Sequence, residues 1–347
     1  MTDARAGELI IFGFEGRTAP PDLLARIADG RAAGVILFAR NLGAPDEIAA
    51  LTRALHDATP GDGPPIIVSV DQEGGRVQRI KQPLTLWPAM ARVAAVGDLA
   101  YTEAVGRAMG LEVAALGFNV DYAPVLDVHT HPANPIIGDR AFGTELVAAA
   151  TQALAFWRGL ESAGVRGCGK HFPGHGDTAT DSHLELPRVD ADEARLRSTE
   201  LRPFAEAARA RVPMLMTAHV LYPAIDDAPA TLSRRWLHTI AREELGYEGL
   251  IVSDDLDMKA VADRWPVRDV VVRSLAAGCD CFLACRNPTI QAEAEAALEG
   301  APRLAAAAER VRAFRATLRR PDATAAVDAW RSLPLAEHAR LAARAAS

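Results

Sequence analysis

Eight short apolar runs recur along the chain, separated by longer amphipathic stretches. The runs are ELIIFGF (8–14), AGVILFA (33–39), PIIVSV (65–70), FNVDYAP (118–124), VRGCGKHF (165–172), PMLMTAHV (213–220), GLIVSD (249–254) and CDCFLA (279–284). Several are apolar throughout instead of alternating, the pattern of strands buried on both faces of a parallel sheet. Between them, 44–58, 102–117, 145–164, 191–210, 233–246 and 267–278 carry helical periodicity. Four of these stretches end at Gly117, Gly164, Gly246 and Gly278, and glycine is the residue that most readily stops a helix.

Strand and helix alternating eight times predicts an α/β chain closed as a (β/α)8, TIM-type barrel. A doubly wound open sheet shares the alternation, but no G-x-G-x-x-G or P-loop supports it. The length of 347 residues suits one barrel. The expected division is a single-domain barrel over 1–300, with extra helices over 301–347 packed on it.

Charge narrows the partners. The 38 basic residues are outnumbered by 45 acidic ones, for a net charge of −7, and no basic stripe is present. Nucleic acid is therefore not an expected partner. The N-terminal apolar stretch is short and follows acidic residues, unlike a signal peptide. No run approaches the 18 apolar residues of a membrane span, so no membrane is expected and the cytoplasm is the expected location. The four cysteines, Cys168, Cys279, Cys281 and Cys285, lack disulfide-framework density and the usual zinc spacing. They read as small buried hydrophobes.

The chemistry lies where the apolar runs stop. PIIVSV runs into Asp71-Gln72-Glu73-Gly74-Gly75-Arg76. The fourth run ends near Asp121 and Asp127, the fifth in Lys170-His171, the sixth in His219 and the seventh in Asp254-Asp255. In a barrel all these ends share one face, which carries the active site. One charge there could cap the next helix. Four or five strands ending this way point to a shared site.

The longest polar loop runs from Lys170 to His183 and holds three of the nine histidines. His171, His175, Asp177 and His183 are metal-ligand types, yet no H-E-x-x-H or similar fixed spacing supports a metal. The histidines could instead satisfy loop backbone groups. In a third reading one histidine is an acid/base tuned by a carboxylate. Asp181 and His183 fit this, because residues two apart in an extended segment face the same way. Asp254 is the matching nucleophile candidate. It ends a buried strand and shares parity with Leu250 and Val252, which would turn Asp255 outward to the helices. A carboxylate nucleophile with a separate acid is the machinery of retaining glycoside hydrolysis.

At these residues the chain resembles glycoside hydrolase family 3, and within it the bacterial cytoplasmic β-N-acetylhexosaminidases that recycle cell-wall fragments. The resemblance rests on GVILFARN (34–41), VDQEGGRVQR (70–79), NPIIGDRAFG (134–143), KHFPGHGDTATDSH (170–183) and REELGYEGLIVSDDLDM (242–258). It implies Asp254 as nucleophile, His183 as acid/base and Asp181 as its partner. It implies Asp71, Arg79, Arg140, Lys170 and His171 as sugar-binding residues. VHTHPANP (128–135) departs from the family pattern and leaves the roles of His129 and His131 open.

The implied activity is release of terminal, non-reducing β-linked N-acetylglucosamine from muropeptide fragments through a glycosyl-enzyme ester. No metal and no organic cofactor is called for. A monomer or weak dimer is expected. The rivals are a phosphorylase that replaces water with phosphate, a β-glucosidase, and a silent barrel that only binds sugars.

Overall fold

The computed structural model describes residues 4–61, 63–178, 185–320 and 329–345. All eight apolar runs become strands of one closed parallel barrel. In chain order they are β1 (Ile10–Phe12), β2 (Gly34–Ile36), β3 (Ile67–Val70), β6 (Val120–Asp121), β7 (Arg166–Phe172), β8 (Met214–Thr217), β9 (Leu250–Asp255) and β10 (Cys281–Ala284). A small antiparallel hairpin, β4 (Gln72–Gly74) with β5 (Val77–Gln78), follows β3. The barrel closes where β1 pairs with β10, Ile10 opposite Phe282.

The continuous apolar runs are explained by burial. Every residue of β1, β2, β3, β8 and β10 is buried, between the barrel interior and the helix layer. Proline opens the helices Pro21–Ala28, Pro45–Asp57 and Pro288–Leu298, where its missing N–H costs nothing. Asp98 and Glu145 cap Leu99–Ala115 and Leu146–Ser162 by accepting backbone N–H groups. Gly117 stops the first of these at φ +88°, and a Cβ there would stand 2.4 Å from the Thr52 hydroxyl. Only glycine fits both the backbone angle and the space.

The 191–210 stretch is two helices, Glu193–Ser198 and Arg202–Arg209, instead of one. Pro203 stands in the first turn of the second. It lacks the N–H that a continuous helix would need. The helical stretch expected at 233–246 is a π-helix over Arg235–Glu244.

The N-terminal rim is sealed by the helix Leu304–Ala316. Arg315 donates to the carbonyls of Ala32, Pro64 and Pro65, and Arg312 pairs with Glu8 at 2.6 Å. The last helix, Ala336–Arg344, lies against Leu99–Ala115. There the buried His338 meets Glu112 at 2.8 Å, and the Tyr101 hydroxyl donates to the Leu341 carbonyl. The opposite rim stays open and carries the polar strand ends. No helix among the described residues is long and apolar enough to cross a membrane.

Candidate active site

β3 delivers Asp71 to the rim, and the β4–β5 hairpin then folds back over it. Two glutamines hold the hairpin in shape. Gln72 accepts the N–H groups of Arg79 and Ile80 and donates to the Ile80 carbonyl. Gln78 donates to Ile80 and Thr85 and accepts from Trp87 N–H. The turn passes through Gly74 at φ +89°, where a Cβ would press on the Pro88 carbonyl at 2.8 Å. The hairpin is joined to β6 by Asp121, which accepts the Gln72 N–H at 2.9 Å. Burial pushes the Asp121 carboxyl well above its ordinary range.

From this hairpin a row of alternating charges crosses the barrel mouth. Arg79 lies 3.7 Å from Asp71, and Asp71 lies 2.7 Å from the Lys170 ammonium. Lys170 lies 2.5 Å from Glu73, and Glu73 receives the Arg140 guanidinium through two bonds of 2.8 Å. Lys170 comes from β7, and Arg140 from the turn Gly138–Arg140. Burial alone would raise the Glu73 carboxyl, but the Arg140 and Lys170 cations beside it hold it far below the usual range. Burial would lower Lys170, yet Asp71 and Glu73 hold it charged, well above a free lysine.

Next to Lys170, His171 turns its Nδ1 to Asp127 at 2.7 Å. Asp127 also accepts the backbone N–H groups of His171 and His175. Burial opposes its ionisation, but the pull of His171 and His175 keeps the carboxyl below its ordinary value. His175 is buried behind this pair, with its Nδ1 2.7 Å from the Thr178 hydroxyl. Burial and the neighbouring His171 lower it to about 4, so it is neutral near pH 7.

β9 brings Asp254 to the same mouth. One carboxylate oxygen accepts the Asp255 N–H at 2.8 Å. The expectation that Asp255 faces the helices does not hold, because it lines the same cavity. Its register explains this. Val252 stands opposite Cys281 and Asp255 opposite Leu283, so three steps on β9 match two on β10. That bulge resets the alternation. Asp255 accepts the N–H groups of Cys285 and Asp257, and burial together with Asp257 raises its carboxyl to about 7.

Asp71, Arg79, Arg140, Lys170, His171 and Asp254 therefore converge on one cavity of about 250 Å³, with Glu73, His175 and Asp255 beside them. Ile36, Phe38, Met216, Met258 and Leu283 supply apolar walls. The volume is near the lower end for small-ligand sites and suits a single sugar ring better than a chain of them. The proposed acid/base His183 and its partner Asp181 lie outside the described residues. His129 and His131 stand half-buried on a loop that bonds back to Gly143 and Gly176.

Glu73 and Asp127 carry no role in the sequence reading. Each acts on side chains 67 and 44 positions away, respectively. The available signal for Glu73 was its place two residues after Asp71 in an extended segment, which puts both on one side.

An open polar rim with paired carboxylates and cations, on a closed barrel, is the layout of a barrel-enzyme active site. The N-terminal domain of glycosyl hydrolase family 3 matches residues 1–314. The chain belongs to glycosyl hydrolase family 3. A β-hexosaminidase of Alkalilimnicola ehrlichii is 41% identical over 285 residues, covering 80% of this chain and 81% of its own. A family 3 β-N-acetylglucosaminidase from Paenibacillus superposes with a TM-score of 0.89 at 36% identity, covering 98% of this chain and 67% of that one. NagZ from Neisseria gonorrhoeae superposes with a TM-score of 0.84 at 31% identity, covering 99% of this chain and 98% of its own. The chain groups with the β-hexosaminidases of the family.

Proposed function

We propose that the chain is a retaining β-N-acetylhexosaminidase that removes terminal, non-reducing N-acetylglucosamine from muropeptide fragments. The observation that supports this most is the convergence of Asp254 with Asp71, Arg79, Arg140, Lys170 and His171 on a cavity sized for one sugar. Carboxylates accept from sugar hydroxyls, and arginine and lysine donate to hydroxyl and carbonyl oxygens.

In this reading Asp254 attacks the anomeric carbon while His183 protonates the departing oxygen. The bond to the leaving group breaks as the ester to Asp254 forms. His183, now neutral, takes a proton from water. The water oxygen displaces Asp254, and two inversions give net retention. Asp181 orients the imidazole and favours its protonated form. Arg140 and Lys170 hold the sugar while His171, set by Asp127, presents its other nitrogen to it. In this reading the enzyme works in the cytoplasm.

The test is a panel of aryl β-glycosides with and without phosphate. Hydrolysis of the N-acetylglucosaminide, far faster than the glucoside and independent of phosphate, is expected. Turnover that requires phosphate would make the enzyme a phosphorylase, and preference for the glucoside would overturn the sugar assignment.

A further inference from the structure

We infer that Glu73 is a positioning residue which, through one buried carboxylate, sets both Arg140 and Lys170 for sugar binding. The inference rests on the sugar-binding reading of the cavity above.

Three observations carry it. The first is connectivity. Oε1 of Glu73 takes the Lys170 ammonium at 2.5 Å and one Arg140 nitrogen at 2.8 Å, and Oε2 takes the Arg140 Nε at 2.8 Å. Both lone pairs of Oε1 are used, so Glu73 acts mainly through its neighbours. The second is burial. Glu73 and Lys170 side chains are each 2% exposed, and Arg140 is 10% exposed. Two cations this close in a dry site repel strongly unless an anion stands between them. The third is support. Glu73 sits on the hairpin that Gln72 and Gln78 brace, so its carboxylate is held by the fold.

Lys170 keeps a second anchor in Asp71. Arg140 has no other carboxylate within ion-pair distance among the described residues, only the Ile136 carbonyl at 3.1 Å. Removing the Glu73 charge therefore frees the Arg140 fork first. A bidentate guanidinium is rigid in a way that a singly held one is not, and a small displacement at a binding group costs much.

The experiment measures the inhibition constant of N-acetylglucosamine against the aryl glycoside that the wild type cleaves best. Glu73→Gln keeps the shape and loses the charge. It should weaken inhibition by about tenfold or more, with KM rising more than kcat falls. In an Arg140→Met background the same change should add under about threefold, because the fork it held is gone. Glu73→Asp, which keeps the charge but shortens the reach, should fall between the two and serves as the readout if Glu73→Gln does not fold. Wild-type inhibition in Glu73→Gln or Glu73→Asp, or equal losses in both backgrounds, would overturn the inference. A wild type that prefers another sugar would overturn the substrate reading alone, since that sugar then becomes the inhibitor.

Discussion

The Asp127 carboxylate fixes the ring of His171. Its Oδ2 faces the His171 Nδ1 at 2.7 Å, while its Oδ1 holds the backbone N–H of the same residue at 3.1 Å. One buried acid thereby sets the backbone, the rotamer and the tautomer of a histidine at the cavity wall. Nδ1 carries a proton toward the carboxylate, and Nε2 is left for the cavity.

Asp127→Asn should keep the shape and reverse this order. The new amide would donate to Nδ1, moving the proton to Nε2. Turnover at limiting substrate should fall by about 10- to 100-fold with the fold retained. Nitrogen NMR shifts of His171 read the tautomer directly. An unchanged tautomer together with wild-type turnover would remove Asp127 from the account.

His175 and Asp255 pull stability in opposite directions over overlapping pH ranges. His175 is held at about 4, below its ordinary 6.5. The unfolded chain takes up that proton first, so its contribution is present above about 6.5 and lost as pH falls toward 4. Asp255 is raised to about 7 from an ordinary 3.8. Its contribution is full below about 4 and lost as pH rises through 7. Thermal melts between pH 4 and 7.5 separate the two. Relative to wild type, Asp255→Asn should shift the slope of melting temperature against pH upward, and His175→Asn should shift it downward. Wild-type slopes in both variants would contradict the assignment.

Much of the architecture was legible in the sequence because buried parallel strands are apolar on both faces. Their polar ends were equally plain, since residues such as Asp71, Lys170 and Asp254 interrupt an otherwise apolar pattern. Contacts made only by barrel closure were not. Glu73 meets Arg140 across 67 positions, and nothing local marks the pair. Asp255 was misplaced because strand parity assumes an unbroken register, and the β9 bulge leaves no signature in S-D-D-L. The break in 191–210 did have a signal, in Pro203, which the helical periodicity around it obscured.

His183→Ala should separate acid from nucleophile. A sugar leaving group needs a proton and should depart very slowly. Dinitrophenolate needs little help, so its first step should be far less affected. The ester on Asp254 should then accumulate, because no base activates water. Azide needs no deprotonation and should restore turnover as a β-glycosyl azide. Asp181→Ala should behave as a weaker version. Equal slowing of good and poor leaving groups, with no azide rescue, would remove His183 as the acid.

The central claim is a covalent bond to Asp254. The most direct measurement is trapping with an activated fluorinated N-acetylglucosaminide, which forms the ester faster than it breaks, followed by peptide mapping in a mass spectrometer. The account predicts one fluorosugar on the peptide carrying Asp254, fragmentation assigning it to Asp254 and not Asp255, and no label in Asp254→Ala. A label on Asp255, or no label together with an inverted product, would contradict it.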